Sequence, residues 1–380
     1  MRTLVFGGSF DPPHRGHAKL LAAAAEKIRP DRILIVPAYR APLKNRAPAA
    51  TAEERLALVR VGLAQRLASR WRRKTQVEDG EVRARRCVFT VETLARLKGQ
   101  DPAGELHFVC GADAAATFPR WKDPARLRAL ASWWYGARPG AAGAAPAFFR
   151  RVPGRFPDIS STELRAALEL GQDEGPAQLF AETLAEIKRR GLYGQARLAR
   201  LSATLKPGRF AHTLNVAALA DALARRHGVD AARARLAGLL HDAGRRFSSP
   251  ELAAYVRRRR LRVPFGAQTA ARTPMLLHAY VSEDLARREF GVRDAAVLRA
   301  VRRHTLGGPR MSVLDKVLYV ADACSADRRH PGVERTRALA FDDLDAAFAR
   351  CVVEKLSHAL ARRAWIHPAT VALWNSLAAR

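Results

Sequence analysis

A chain of 380 residues with 48% hydrophobic and 27% charged residues is long enough for two ordinary cores and too apolar to be disordered. No run of about 18 apolar residues is present, and the start runs directly into a strand pattern without a signal-peptide profile, so a membrane span is not expected and the cytoplasm is. The formal net charge of +30 divides into +13 over residues 1–194 and +17 over 195–380, a spread that argues against a dedicated nucleic-acid surface while favouring phosphate-rich small substrates. Cys87, Cys110, Cys324 and Cys351 form no CxxC pair, which excludes a zinc knuckle and points to reduced thiols.

Taken in order, the first half alternates strand and helix signals. The apolar run Thr3–Phe6 reads as a buried strand that ends in the glycine turn Gly7-Gly8-Ser9-Phe10-Asp11-Pro12-Pro13-His14-Arg15-Gly16-His17, before an Ala/Leu-rich helix. Glycines let backbone approach a phosphate, and a helix start offers free N–H groups, so this turn predicts a nucleotide-phosphate site. Arg32–Pro37 predicts a second strand leading into a loop that carries Leu43 and Lys44. Glu53–Leu67 has helical spacing, Lys74–Glu78 reads as a strand, Phe89–Leu97 as a helix, and Leu106–Cys110 as a strand ending in Gly111-Ala112-Asp113. Trp133–Tyr135 is a further strand before Arg138-Pro139-Gly140, and residues 140–147 read as a surface loop. The alternation predicts an α/β unit with a parallel sheet and its ligand at the carboxyl ends of the strands. In Ile159-Ser160-Ser161-Thr162-Glu163-Leu164-Arg165, Ser160 and Glu163 have capping-box spacing, and the same helix start with Arg165 behind it would clamp a phosphate.

Gly7–His17 together with Ile159–Arg165 resembles the nicotinate-nucleotide adenylyltransferases, in the nucleotidyltransferase superfamily with an HxGH motif. The similarity runs through Thr90–Leu94, Gly111–Asp113, Trp121, Arg138–Gly140 and Gly191-Leu192-Tyr193, over about residues 1–194. It implies a Rossmann-like nucleotidyltransferase fold and transfer of the adenylyl group of ATP to nicotinate mononucleotide, with Mg2+. It further implies His14, His17, Lys44 and Arg165 as catalytic groups on the phosphates. Gly7, Gly8, Ser9, Phe10, Thr90, Gly111, Asp113, Trp121, Arg138, Ser160 and Ser161 would hold substrate and nucleotide. Where the family commonly has His before the loop lysine this chain has Leu43, and in place of Ser-Tyr-Thr it has Val88-Phe89-Thr90.

Patterning changes near Gly194, the expected boundary, and the remainder, 195–380, reads as all-α. The expected helices are Gln195–Thr204, Phe210–Arg226, Ala231–His241, Pro250–Arg258, Met275–Phe290, Asp294–Arg303, Ser312–Ala323, Asp342–Ala364 and Pro368–Ala379. His212 lies on an apolar helix face, and His241-Asp242, His278, His304 and Asp322 each follow an apolar run. One such residue is ordinarily a hydrogen-bonded core group. Several together need a shared partner, and a divalent metal is the usual one.

The order His…His-Asp…His…His…Asp resembles the HD-domain metal phosphohydrolases. With Arg303-His304-Thr305 and Tyr319–Asp322 it is closer still to the bacterial HD proteins that cleave diadenosine tetraphosphate symmetrically to ADP. That resemblance implies His212, His241, Asp242, His278, His304 and Asp322 as ligands of two divalent metals, iron in many members, with Asp242 the bridge. Arg245, Arg328 and either Arg335 or Arg337 would hold phosphates. Family members commonly have an acidic residue where this chain has Ser325, and Gly where it has Ala279. A fused adenylyltransferase and HD phosphohydrolase is the leading expectation. The alternatives are a second half that senses nucleotides without turnover, or one that hydrolyses another nucleotide.

Overall fold

The alternating apolar runs of the first half form a sheet of six parallel strands: β1 (Arg2–Gly8), β2 (Arg32–Pro37), β3 (Thr75–Val77), β4 (Glu105–Gly111), β5 (Ser132–Gly136) and β6 (Arg150–Arg151). The strand order is β3-β2-β1-β4-β5-β6, with Phe6 registered between Ile35 and Val109. The order reverses at β1 and β4, and their carboxyl ends open the crevice where open α/β sheets bind ligands. The computed structural model describes residues 1–43, 47–137, 144–172 and 177–378. Lys44 and Arg138 lie outside them, as does the first half, 140–143, of the loop expected at 140–147.

Both faces of the sheet are covered, so the strands read as continuous apolar runs and not as alternating ones. Leu4, Phe6, Ile33 and Ile35 face Leu21, Ala24 and Ala25 of helix α1 (Arg15–Ile28). Val5, Leu34, Val36 and Phe108 face Val91, Leu94 and Leu97 of α3 (Thr90–Gln100). Helix α2 (Ala52–Val61) is shorter than the expected Glu53–Leu67, because Gly62 ends it and a 3-10 turn follows at Leu63–Gln65. The two-residue strand β6 has no sequence signal of its own. The remaining helices of this unit that matter for function are α4 (Ala112–Ala116), α5 (Ser161–Glu169) and α6 (Ala181–Arg189).

The chain divides into two units, Met1–Ala196 and Arg197–Arg380. Among the described residues the second has no strand. Its helices are α7 (Gln195–Thr204, which begins at the junction), α8 (Pro207–Arg226), α9 (Ala231–Leu240), α10 (Ser249–Arg259), α11 (Gly266–Arg272), α12 (His278–Arg288), α13 (Ala295–Arg303), α14 (Val313–Cys324), α15 (Val333–Asp342), α16 (Leu344–Ala361) and α17 (Pro368–Ala378). Three expectations are corrected here. The run Met275–Phe290 is a 3-10 turn, Pro274–Leu277, followed by a helix that begins at His278. Helices α11 and α15 were not expected, and the helix expected from Asp342 starts at Leu344, because Asp342 closes α15 and Asp343 caps α16 by accepting the N–H groups of Asp345 and Ala346. No helix among the described residues is long and apolar enough to cross a membrane.

Candidate functional site

The loop after β1 is built around absent side chains and one histidine pair. A Cβ on Gly7 would sit 2.8 Å from the Phe108 ring, so only glycine lets the strand end pack there. The Phe10 ring, expected to face ligand, turns inward and is 2% exposed; it packs against Gly8 and lies 5.2 Å from the His17 ring. Its contribution is to fix His17, leaving only its backbone for a ligand. His14 caps α1, and the imidazoles of His14 and His17 stack at 3.7 Å. His17 Nδ1 accepts the His14 backbone N–H at 3.2 Å, so the neutral ring carries its proton on Nε2 as a donor.

The second motif reaches the first across 150 positions of sequence. Ser161 Oγ donates to the Pro12 carbonyl at 3.2 Å. Arg165 donates to the Asp11 carbonyl at 2.5 Å and to Thr162 Oγ1 at 3.1 Å, with its guanidinium 3.4 Å from the Asp11 carboxylate. Ser160 caps α5 by accepting the Thr162 N–H, but Glu163 is exposed and does not return a bond to it, so only half of the expected capping box forms.

Two residues to which the motifs assign no role, Asp11 inside the first motif and Arg55 outside both, hold this loop. Asp11 accepts the backbone N–H groups of Ala49 and Ala50 at 2.9 and 3.2 Å and the Tyr193 hydroxyl at 2.9 Å. Burial first, and the Asp11 charge second, push the Tyr193 hydroxyl pKa up, so it stays a donor. Arg55, 1% exposed, donates to the carbonyls of Ser9, Ala38 and Tyr39 at 2.7 Å each and to Ala50 at 3.2 Å. A buried guanidinium satisfied wholly by carbonyls is a scaffold for the loops after β1 and β2. Of the remaining candidates, Thr90 opens α3 and Gly111 caps α4 with Asp113 in its first turn, all at the carboxyl edge of the sheet. Trp121 is partly buried, donates to Thr117 Oγ1 at 3.2 Å and packs edge-on against Phe108.

In the second unit, five elements bring the six expected ligands together. His212 lies on α8, His241 and Asp242 follow α9, His278 opens α12, His304 follows α13 and Asp322 lies on α14. The local device repeats. His241, His278 and His304 each place Nδ1 on the carbonyl three residues earlier, at Gly238 (2.7 Å), Met275 (2.6 Å) and Val301 (2.7 Å). Each sits where a helical segment ends and carbonyls lack helical partners. His212 instead places Nδ1 on the Asp327 carboxylate at 2.7 Å. Carbonyl and carboxylate oxygens only accept, so all four rings donate from Nδ1, and each ring when neutral turns its Nε2 lone pair inward.

His212, His241 and Asp242 form one cluster, and Asp242, His278 and His304 another, each with ligand atoms within 4.8 Å of one another. Asp242 belongs to both: Oδ2 is 3.5 Å from His241 Nε2, while Oδ1 is 3.2 Å from His278 Nε2 and 3.8 Å from His304 Nε2. Asp322 Oδ1 lies 3.2 Å from His212 Nε2. The protonation states suit cation binding. Burial, then the neighbouring His241 and His278, lowers the His304 pKa to about 3, so the ring is neutral. Against the cost of burial, the surrounding imidazoles hold the Asp242 carboxyl well below the usual carboxylate range. His241 Nε2 is fully buried with no hydrogen-bond partner. The neutral His304 ring, the ionised Asp242 and Asp322 carboxylates and the orphaned His241 nitrogen fit a pair of divalent metals. Gly244 allows the close approach here, since its Cβ would meet the His278 carbonyl at 2.7 Å.

Arginines ring the cluster. Arg328 donates to Asp322 Oδ1 at 2.7 Å and to the Asp322 carbonyl at 2.9 Å, and Arg209, not expected, donates to Asp242 Oδ2 at 2.8 Å. Arg245 is half-buried within the field of Asp242. Arg335 and Arg337 differ in their partners. Arg337 is used on the carbonyls of Cys324 and Ser325, whereas Arg335 lines an open cleft of about 400 Å³ with Arg328 and Arg329. Asp327 carries no sequence signal of its own; its carboxylate stands two residues beyond Ser325, the position where family members commonly have an acidic residue. Thr305, whose hydroxyl is 2.8 Å from His304 Nε2 and 3.2 Å from His278 Nε2, was noted only as part of a motif.

Comparison with known proteins agrees with this division. A cytidylyltransferase-like family profile matches residues 5–167 and an HD-domain profile residues 209–327. A nicotinate-nucleotide adenylyltransferase/Ap4A hydrolase of Mycoplasma genitalium is 27% identical over 86% of this chain and 88% of its own. A symmetrical bis(5'-nucleosyl)-tetraphosphatase of Bacillus subtilis is 33% identical, covering 47% of this chain and 95% of its own. A nicotinate-nucleotide adenylyltransferase of Opitutus terrae is 34% identical, covering 43% of this chain and 84% of its own.

Proposed function

We propose a bifunctional enzyme, on the premise that the chain belongs to two families: its first half to the nicotinate-nucleotide adenylyltransferases and its second half to the symmetrical bis(5'-nucleosyl)-tetraphosphatases. Residues 1–194 are assigned to adenylyl transfer and 195–380 to phosphohydrolysis. The contact of Ser161 and Arg165 with the Asp11–Pro12 backbone supports the first assignment, and the placement of Asp242 in two ligand clusters supports the second.

In the first unit the phosphate of nicotinate mononucleotide attacks the α-phosphorus of ATP. A P–O bond forms, the bond to the β-phosphate oxygen breaks, and pyrophosphate leaves with deamido-NAD as product. The attacking phosphate is already anionic, so no base is needed, and catalysis rests on position and charge. His17 Nε2–H, His14 and the start of α1 donate to the ATP phosphates, while Arg165 and Lys44 neutralise charge. Gly7, Gly8 and Ser9 let the nucleotide lie against backbone; Ser160, Ser161, Thr90, Gly111, Asp113, Trp121 and Arg138 line the substrates. Magnesium bound to ATP would add shielding of the phosphate charge to what these side chains supply.

In the second unit His212, His241, His278, His304, Asp242 and Asp322 would hold two divalent cations, with iron the expected metal. Bound there, the metals supply Lewis acidity toward phosphate oxygens and an acidified water. Asp242 bridges the two clusters, and Asp327 fixes the His212 ring. Arg245, Arg328 and Arg335 hold the polyphosphate so that its central bridge is presented to attack. Water adds to one of the two inner phosphorus atoms, the central P–O–P bond breaks, and diadenosine tetraphosphate yields two ADP. This chemistry belongs in the cytoplasm, where its nucleotides are, and the four cysteines are free thiols.

The full chain supplied with magnesium, ATP and nicotinate mononucleotide should form deamido-NAD and pyrophosphate. Supplied with iron or manganese and diadenosine tetraphosphate, it should form ADP alone. AMP with ATP as products would move the cut off the central bridge; tight binding with no ADP at any metal would make the second unit a nucleotide sensor.

A further inference from the structure

We propose that the cavity beside His278 and His304 is a purine-nucleoside subsite of the second unit, an assignment that rests on the phosphohydrolase reading and names which surface takes an adenosine end of the substrate. The cavity measures about 400 Å³, near the lower end for small-molecule sites and suited to one nucleoside. It lies between the turn Pro274–Leu277, helix α16 and the start of α17.

Its inner wall is shared with the metal-ligand cluster. Thr305 lines it, with its hydroxyl within 3.2 Å of the Nε2 atoms of both His278 and His304. Met275 lines it, and its carbonyl accepts His278 Nδ1. Lys355 lines it, with Nζ 3.4 Å from the His304 carbonyl and 3.8 Å from the centre of the Tyr319 ring. A ligand in the cavity would therefore have its polar end next to the cluster and beside a cation. No Asp or Glu lines the cavity, which favours a polyphosphate ester.

The outer wall offers what a base needs. Trp365 and Ile366 present apolar surface, and stacking on an aromatic ring is the common way of holding a base. Thr273 and His367 line this wall, and Thr273 Oγ1 is buried without a hydrogen-bond partner. His367 is 2% exposed; its Nδ1 accepts the Ala369 N–H at 3.0 Å, which puts the proton of the neutral ring on Nε2. Burial lowers its pKa, with the Pro264 carbonyl opposing, so the ring is neutral near pH 7. An imidazole donor and a hydroxyl that can donate or accept match the ring nitrogens and amino group of adenine. A buried hydroxyl left unmatched is costly, and a ligand that pairs it gains.

The test uses the full chain, loaded with manganese, and the variant Ala359→Trp, which fills the cavity from α16 at a lining residue that is not itself a metal ligand. The expected result is a KM for diadenosine tetraphosphate raised tenfold or more, with hydrolysis of bis(4-nitrophenyl) phosphate, which has no nucleoside, unchanged within twofold. Thr273→Val and His367→Phe should each raise the same KM about threefold to tenfold. An unchanged KM in Ala359→Trp, or an equal loss on both substrates, overturns the subsite while leaving the phosphohydrolase reading intact. Should the wild type release no ADP at all, photolabelling with 8-azidoadenosine and peptide mapping decides separately. Label on the peptide holding Trp365, lost in Ala359→Trp, supports the subsite; no label there overturns it.

Discussion

The two units use histidine in opposite electronic senses, and the difference lies in what Nδ1 touches. His17 accepts a backbone N–H at Nδ1 and so offers a proton from Nε2, as an anion site requires. His212, His241, His278 and His304 donate from Nδ1 to oxygen and so offer lone pairs from Nε2, as a metal site requires. The surroundings follow suit. The first site is the edge of a sheet, assembled from loop backbone and pinned by two buried charges, Asp11 and Arg55, whose partners are mostly main chain. The second is assembled from side chains on five elements, with buried carboxylates set among imidazoles in two clusters that can hold cations. Site type is thus decided by a neighbouring atom, not by residue identity.

The largest effect that should separate the two senses is at His17. His17→Ala removes one donor to the transition state, and adenylyl transfer should fall by roughly a hundredfold to a thousandfold, about 2.7–4 kcal/mol. His17→Gln, which can still present an N–H, should recover at least tenfold of that loss. Steady-state kinetics with equal rates for Ala and Gln would break the donor assignment.

Metal removal should act on one unit alone. Cations present at about a hundred times their dissociation constant contribute roughly 2.7 kcal/mol to the state that binds them. Calorimetry after chelation should show the second unit's transition move down while the first stays in place. A common downward shift of both would contradict the division of roles.

Buried carboxyls sharpen the contrast further. Glu81 in the first unit is 8% exposed and accepts the Thr93 hydroxyl at 2.7 Å, but burial pushes its pKa up to about 7. Below pH 4.5 it is protonated folded and unfolded alike, so it has no effect. Between 4.5 and about 7 the unfolded chain releases the proton while the folded one keeps it, so stability falls as pH rises. Glu81→Gln should abolish that slope, gaining on the order of 2 kcal/mol at pH 7.5 and nothing at pH 4. Denaturant unfolding at the two pH values measures it. Asp242, equally buried, should show no such window with metals bound.

The smallest predicted effect is at Asp327. Replacing it with Asn leaves a weaker acceptor for His212 Nδ1, and metal affinity should drop by about tenfold, the low end for a residue that orients a ligand. Competition with a chromogenic chelator reads this out. Unchanged affinity would leave the carboxylate without a role in ring orientation.

Much of this was legible in sequence because the chemistry was local. Gly7–His17 and His241-Asp242 carry their spacing within a few residues, and apolar runs on both sides of each turn give away the strands and helices that present them. What was missed is non-local. Arg55 reads as a solvent-facing residue between Glu54 and Leu56, and only the fold brings three carbonyls onto it. Asp327 lies 115 positions from His212, and no pattern links them. Phe10 sits inside the motif, a position that predicts a ligand contact, but the side chain turns into the core above Gly8. Helix α15 follows directly on Gly332 in a segment too rich in charge to show a clear apolar stripe.

The most direct measurement of the two-centre account is a crossed assay of His17→Ala and Asp242→Ala in the full chain. Each variant is given magnesium, ATP and nicotinate mononucleotide in one vessel, and manganese with diadenosine tetraphosphate in another. The account predicts that His17→Ala loses deamido-NAD formation and keeps ADP release within twofold, and that Asp242→Ala does the reverse. Loss of both activities in either variant, with its unfolding transitions intact, would contradict two separate centres.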